Sequence, residues 1–327
     1  MTMDAHITTN EIPFDENEQF KFDVLTGFSL PEKELSQKYC YDQIGAELFN
    51  KISKNPQDYP TSCEAKILQS YKDQLALHLH KTPFNLIELG PCAGINSQIL
   101  IEHFLQEAIS FTYSVVDSSK TYLDVISNTL QNTFPTLKCN TVHTDYLFQN
   151  MQILSKQKNV ILFLDSNIGK IPNLQISSFL KKLRRILHSG DLLLIGFDLR
   201  KNIDLLLQYY NEPNSLYSKL HLNLLDRINR EMEGDFNIKE FTYTANYNKD
   251  MESINHFLIS KIQQTVYIPA IKQSFDFQPG ELIYLGSDAK FREQQIETIA
   301  ESNGFEITKM FMDENRYFID SLWKVEK

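Results

Sequence analysis

Leu86-Ile87-Glu88-Leu89-Gly90-Pro91-Cys92-Ala93-Gly94 closes an apolar run with an acid and then sets two glycines four residues apart. The run Phe84–Leu89 predicts a buried strand, and the amphipathic stretch Ile95–Glu107 predicts a helix opening directly behind the second glycine. Glycine at such a turn lets backbone approach a ligand where a Cβ would clash, and the helix start offers free N–H groups. A dinucleotide fingerprint spaces its glycines G-x-G-x-x-G. The spacing here instead suits a cofactor with a carboxylate and an ammonium but no pyrophosphate. A purely structural turn is the alternative for the glycine pair alone.

Working outward, short apolar runs alternate with amphipathic stretches. Strands are predicted at Phe111–Val116, Lys138–Thr141, Asn159–Leu164 and Leu192–Phe197, with helices at Tyr122–Asn132 and Ile176–Leu187. This rhythm predicts a parallel sheet covered by helices on both faces. After Asp198 it changes: residues 200–235 read as helical and residues 236–285 as strand-rich. A helix over Lys290–Ser302 and strands at Phe305–Phe311 and Tyr317–Lys324 then resume the earlier style. The pattern predicts a core of residues 63–199 and 289–327, interrupted by an insertion, with residues 1–62 joining residues 200–288 in a second domain.

The 327 residues carry 32 basic and 42 acidic side chains, a net charge of −10. No long basic run is present, which disfavours nucleic acid as a partner. The runs VILFL and LLLIGF are far too short to span a bilayer, and the polar, acidic N-terminus is unlike a signal peptide. Cys40, Cys63, Cys92 and Cys139 form no CxxC pair, so neither a zinc site nor a disulfide framework is expected. Together these features predict a soluble cytoplasmic protein with no metal and no membrane partner. Oligomeric state is not legible.

Two further acids support a cofactor site. Asp117 ends the second predicted strand, about twenty residues past the glycine turn, where a carboxylate can accept both ribose hydroxyls. Asp145 follows the third strand in His143-Thr144-Asp145-Tyr146; it can accept an adenine amino hydrogen while Tyr146 covers the ring. The alternative for each acid is a helix cap. Three such features at successive strand ends favour S-adenosylmethionine (SAM), with Glu88, Gly90, Gly94, Asn96, Asp117, Asp145 and Tyr146 as candidate contacts.

Many spaced matches carry a family resemblance: Tyr41-Asp42 with Gly45, Leu48-Phe49 and Ile52; Pro56-Gln57-Asp58-Tyr59-Pro60-Thr61 and Glu64; Ser189-Gly190-Asp191; Gly196-Phe197-Asp198-Leu199; and Asn223-Leu224-Leu225-Asp226-Arg227-Ile228-Asn229-Arg230-Glu231 ahead of Gly234-Asp235-Phe236. Gln264-Thr265-Val266, Gly280-Glu281, Lys290-Phe291 and Gly304-Phe305 match as well. Over nearly its whole length the chain resembles the histidine Nα-methyltransferases of ergothioneine biosynthesis and their relatives, which include fungal enzymes acting on tryptophan-derived amines. The resemblance implies an α/β fold, with a Rossmann-like class I methyltransferase core and a second α+β substrate-binding domain that closes over the amino acid. It implies that Tyr41 and Tyr210 face the substrate, that Phe49 lies beside the pocket, and that Gly90, Asp117 and Asp145 touch the cofactor. Asn96 stands where the family usually has lysine.

The departures fall on the substrate side. Asp58 replaces a tyrosine of histidine-specific members, Lys170 replaces an asparagine that grips the substrate, and His256 replaces a methionine. Gly286 and Asp288 replace the glutamate and serine that hold the imidazole. A site built around a buried polar group rejects ligands that leave it unpaired, so these exchanges argue against histidine as substrate. The candidate substrate residues are Tyr41, Phe49, Asp58, Asp165, Lys170, Tyr210, His256, Gly286 and Asp288, with Tyr41, Asp58 and Asp288 as catalytic candidates. The expected function is N-methyl transfer from SAM to an amino-acid-like amine; a catalytically idle sensor of SAM or of an amino acid is the alternative from another class. For single residues the bland readings are that Asp58 caps a helix, Lys170 points to solvent and His256 is a hydrogen-bonded core residue.

Overall fold

A computed structural model describes residues 6–9, 15–55, 58–79, 82–92, 94–145, 147, 151–154, 157–212 and 215–326. Tyr146 lies outside the described residues. The chain divides into two compact units, one made of Asn55–Arg200 and Ala289–Lys327 with the N-terminal strand His6–Thr9, the other of Asp15–Lys54 and Lys201–Asp288.

The first unit is built on a seven-stranded sheet of β1 (Phe84–Leu89), β2 (Phe111–Asp117), β3 (Cys139–His143), β4 (Lys158–Phe163), β5 (Leu192–Asp198), β6 (Phe305–Met312) and β7 (Phe318–Val325), in the order β6-β7-β5-β4-β1-β2-β3. β1 to β5 are parallel, and β7 runs antiparallel to both β5 and β6. Every residue of β1 and β5 is buried, which is why both read as continuous rather than alternating apolar runs. On one face Ile176, Phe179, Leu180 and Leu183 of helix Asn173–Ile186, with Ile296 and Ala300 of helix Glu293–Ser302, pack on Ile161, Phe163, Ile195, Phe197 and Trp323. On the other face helix Tyr59–Leu79 packs on β7 and on helix Ile95–Gln106. The α/β expectation holds.

Two local differences have clear causes. The last helix starts at Glu293, not Lys290, because the Phe291 N–H donates to the Asp198 carbonyl and residue 291 bridges to Leu199. The strand Met151–Leu154, not expected from sequence, pairs antiparallel with His6–Thr9, a partner too distant in sequence for local patterning to reveal.

The second unit holds a four-stranded sheet in the order Lys33–Glu34, Leu282–Ala289, Ser253–Ser260, Phe241–Asn248, and a separate hairpin of Gln264–Ile268 with Gln273–Phe277. Phe241–Asn248 alternates buried and exposed residues as far as Asn246, as expected of a half-covered antiparallel strand. Helix Leu216–Met232 organises the segment carrying Tyr41. From it Asn223 donates to the Asp42 carboxylate at 2.7 Å and to the Cys40 carbonyl at 3.3 Å, Arg230 pairs with Asp42, and Arg227 donates to the Tyr39 carbonyl at 3.2 Å. Asp42 in turn caps helix Gln43–Ser53, and a Cβ on Gly45 would sit 1.7 Å from the Cys40 carbonyl oxygen, so glycine is required there. The Arg227 guanidinium also pairs with Glu16 at 3.0 Å and Glu231 at 2.9 Å and lies 4.8 Å from the Phe20 ring centre. Arg227→Met should therefore destabilise the second unit by about 2 kcal/mol. Urea unfolding followed by proteolysis of 15–54 checks this, and an unchanged transition would refute it.

Candidate active site

The C-terminal ends of the parallel strands gather the first group of residues. Gly90 and Gly94 adopt φ of 61° and 62°, in the left-handed region where a side chain is strained, so the glycine pair is a conformational requirement. Gly90 donates its N–H to the Val116 carbonyl at 2.9 Å, and Thr144 donates to the Asp117 carbonyl at 2.9 Å. These bonds tie the loops after β1, β2 and β3 together. Helix Ile95–Gln106 opens at Gly94 with no side-chain cap, leaving its first N–H groups without that partner.

The loop after β4 flanks the turn, at the point where strand order reverses from β1 to β4. Asn167 donates to the Gly90 carbonyl at 2.6 Å, and its Oδ1 accepts from Lys170 Nζ at 2.9 Å and lies 3.4 Å from Cys92 Sγ. Lys170 is thus half-buried and directed at the loop that braces the glycine turn, contrary to the solvent-facing reading. Burial pushes the Cys92 thiol up to about 12, so it remains protonated. Consecutive residues Asp165 and Ser166 both have positive φ (57° and 51°), a strained pair of the kind that concentrates at functional loops.

The strain is held by Glu64, part of the family match, and by Asn96, one of the expected cofactor contacts. The Asp165 N–H donates to both Glu64 carboxyl oxygens, at 3.0 and 2.9 Å, and Asn96 Nδ2 bridges Glu64 and Asp165 Oδ1. Glu64 faces Asp320, and both are fully buried. Burial first, then the neighbouring carboxylates, raises Glu64 well above the ordinary range; burial raises Asp320 likewise. Two apposed carboxyl groups in one buried site resist ionising together. Burial also raises Asp165, while Lys170, Glu64 and Asn96 oppose the rise. Asn96 Oδ1 is buried and has no hydrogen-bond partner among the described residues.

Asp117 is half-buried at the end of β2, with Oδ1 accepting the Ser119 N–H at 2.8 Å. Asp145 is buried, and its Oδ1 accepts the Leu147 N–H at 3.2 Å. Each acid therefore shapes its own turn. Glu88 lies against Tyr113, whose hydroxyl donates to Oε2, and burial pushes it up to about 8. Asp58 immediately precedes helix Tyr59–Leu79, and its carbonyl accepts the Ser62 N–H at 3.0 Å. Its side chain is buried and near enough to Asp165 to help raise it, so the capping position and a place beside the acidic cluster coexist.

The second unit assembles the other group. Tyr41 meets Phe49 edge to face, with ring centres 5.5 Å apart. Asp288 Oδ2 accepts from the Tyr210 hydroxyl at 3.2 Å and lies 3.1 Å from His256 Nε2, and Oδ1 accepts from Gln37 Nε2 at 3.4 Å. The His256–Asp288 approach is close but bent, short of hydrogen-bond alignment. Gly286 has φ of 133°, and a Cβ there would meet the same Gln37 amide at 3.3 Å. Three expected residues, Tyr210, His256 and Asp288, thus converge; Gln37 and Tyr243 join them without having been legible in the sequence.

A family model described as a histidine-specific, SAM-dependent methyltransferase matches residues 20–325. The chain belongs to that family. It is a SAM-dependent methyltransferase, with S-adenosylmethionine as its methyl-donating cofactor. Among its relatives, a histidine N-alpha-methyltransferase of Mycobacterium tuberculosis (strain CDC 1551 / Oshkosh) is 28% identical over 292 residues, which cover 89% of this chain and 90% of that protein. The N-methyltransferase imqF of Aspergillus flavus is 21% identical over 304 residues, 89% of this chain and 81% of that protein. Among solved structures, the CcbJ methyltransferase of Streptomyces caelestis superposes with a TM-score of 0.50 at 10% identity, covering 90% of this chain and all of that one, a likeness of fold. No helix among the described residues is long and apolar enough to cross a membrane.

Proposed function

We propose that the chain transfers a methyl group from SAM to the nitrogen of a small amino-acid-like amine other than histidine. The observation that carries the reading is the ordered set of the strained glycine turn, Asp117 and Asp145 at successive strand ends, in a family whose relatives are named as N-methyltransferases. SAM supplies an electrophilic methyl group on a sulfonium centre. The groups present suit it: the uncapped helix start favours its carboxylate, and Asn96 Oδ1 and Asp165 offer acceptors to its ammonium. Asp117 accepts the ribose hydroxyls and Asp145 the adenine amino group.

Little acid–base chemistry is required of the protein beyond this. The amine must lose its proton before attack, and its lone pair must be aligned with the methyl group, so positioning dominates. We assign Tyr41, Phe49, Tyr210, His256, Gly286 and Asp288 to the acceptor, and take Asp58, Asp165 and Lys170 as further candidates for its amine and carboxylate. Asp58 and Asp288 are the proton acceptors to test. Exchange of an imidazole-holding glutamate and serine for Gly286 and Asp288 supports an acceptor other than histidine.

Incubation with methyl-labelled SAM and a panel of amino acids and amines, with products located by mass spectrometry, tests the reading. N-methylated product with a non-histidine acceptor preferred is expected. Preference for histidine would overturn the substrate part, and SAM binding with no transfer to any acceptor would favour the idle sensor. Asp117→Asn keeps an acceptor for the Ser119 N–H but removes the charge, and should weaken SAM binding about 10- to 100-fold by calorimetry. Unchanged affinity would remove Asp117 from the cofactor site.

A further inference from the structure

We propose that Asn211 is a positioning residue for the acceptor: it clips the end of helix Ile203–Tyr210 to the open edge of strand Phe241–Asn248 and thereby sets where the Tyr210 hydroxyl lies. The inference goes beyond the acceptor assignment above and rests on it, because that assignment gives Tyr210 to the acceptor.

The helix cannot place itself. Eight residues are too few for a helix that is stable alone in water. Within it only Leu206 and Tyr210 are buried, one turn apart on a single face. Asn202 caps its start by accepting the Asp204 N–H at 2.7 Å, and the Asn211 N–H closes its end on the Leu207 carbonyl at 2.9 Å. Both bonds lie inside the segment and leave its height on the sheet undetermined. The Tyr210 ring meets those of Tyr209 and Tyr217 edge to face, with centres 4.9 and 5.4 Å apart, and contacts of this kind tolerate sliding.

The Asn211 carboxamide supplies the fixed point. Among the described residues, Phe241–Asn248 pairs with Ser253–Ser260 on one side only. On its other edge Asn211 Nδ2 donates to the Ala245 carbonyl at 2.8 Å, while Oδ1 accepts the Ala245 N–H at 2.7 Å and the Thr244 hydroxyl at 3.4 Å. A carboxamide carries donor and acceptor in one plane, as a peptide group does, so it occupies the place of a neighbouring strand. Ala245 is also the residue paired with His256. Both of its backbone groups face Asn211, so the pair is of the non-hydrogen-bonded kind, in which the two side chains come closest. Tyr210, next in the chain to the clip, holds its ring 5.3 Å from that of His256 and donates its hydroxyl to Asp288 at 3.2 Å. That is the long end of a sound hydrogen bond, and a slide of about 0.5 Å would break it. Asn211 itself is exposed, so its loss opens no hole in the core and the variant should fold.

The test is a double-mutant cycle of Asn211→Ala with Tyr210→Phe. Histidine, lysine, leucine, phenylalanine and tryptophan serve as acceptors, in rates from labelled SAM and in calorimetry with S-adenosylhomocysteine present. Asn211→Ala should raise KM and Kd for the acceptors about fivefold, with a smaller change in kcat and with S-adenosylhomocysteine affinity kept within about twofold. Asn211→Asp, which keeps the acceptor for the Ala245 N–H but loses the donor, should fall between the two. Tyr210→Phe should cost at least as much, and adding Asn211→Ala to it should cost little more, since both act through one hydroxyl. Hydrogen exchange over residues 203–211 should quicken in Asn211→Ala. Unchanged KM and Kd, or a loss that adds in full to that of Tyr210→Phe, overturns the proposal. A fall in kcat at constant KM overturns it too, because that marks a smaller folded fraction. Binding by the wild type without transfer would sink the N-methyl reading alone, and the dissociation constants would then carry the cycle.

Discussion

Lys290→Met should cost about 3–5 kcal/mol of stability, because it strands a carboxylate in the core of the first unit. Lys290 Nζ and Asp198 Oδ2 are 2.7 Å apart with each side chain 1% exposed, and the Tyr59 hydroxyl donates to the same oxygen at 2.7 Å. The pair sits where the chain leaves this unit after Arg200 and re-enters it at Ala289. Backbone bonds from Phe291 to the Asp198 carbonyl and from Arg200 to the Phe291 carbonyl, both 2.9 Å, join the two passes. Removing the ammonium takes away the opposite charge from a carboxylate that water cannot reach. The double variant Asp198→Asn with Lys290→Met should recover most of the loss, since an amide is far cheaper to bury and still accepts from Tyr59. Urea unfolding of the wild type and the single and double variants measures both effects. A loss below about 1 kcal/mol in Lys290→Met, or no recovery in the double variant, would show that the ion pair is not what holds the return of the chain.

The sequence discloses β1, β2, β4 and β5 because each is a short, largely apolar run bounded by polar turns, and Glu88, Gly90, Asp117 and Asp145 can be placed at strand ends from spacing alone. It does not disclose what holds those ends in shape. The Glu64–Asp320 pair joins the first long helix to the last strand across most of the chain, and no periodicity links two acids so far apart. Ionic residues in apolar runs, such as Asp320 between Ile319 and Ser321, read as surface unless the partner is known. The same holds for Tyr243, which looks like any aromatic in an alternating strand until its hydroxyl is found on His256. Helix starts differ from the sequence pattern by a few residues where the cap decides them: Ser119 accepts the Tyr122 N–H, and its helix begins at Lys120. Sequence leaves Asp58 and Lys170 open between structural and functional readings; their burial and neighbours draw both towards the acidic cluster and the glycine turn.

Glu88→Gln should flatten the dependence of stability on pH between about 4.5 and 8. Glu88 is 1% exposed, its Oε1 has no hydrogen-bond partner among the described residues, and burial raises it from 4.5 to about 8 against the lowering effect of hydrogen bonds from Tyr113 and Ser97. The sign follows from proton counts. Below pH 4.5 both folded and unfolded chains hold the proton and the stabilisation is complete. Between 4.5 and 8 only the folded chain holds it, so unfolding releases a proton and stability falls as pH rises. At about 1.4 kcal/mol per pH unit the full span is worth about 5 kcal/mol, an upper figure because the buried site relaxes when charged. The Glu88→Gln protein, neutral at this position at every pH and still an acceptor for Tyr113, lacks this loss. It should match the wild type at pH 4.5 and exceed it by several kcal/mol at pH 8, measured by urea unfolding across the range. Glu64, Asp165 and Asp320 are raised in the same direction, so a residual slope should persist. Parallel profiles for the two proteins would show that Glu88 ionises without cost. The consequence reaches the site: a protonated Glu88 places no charge beneath the glycine turn, and the charged acceptor left to the ribose is Asp117, whose removal should then weaken SAM binding without help from its buried neighbour.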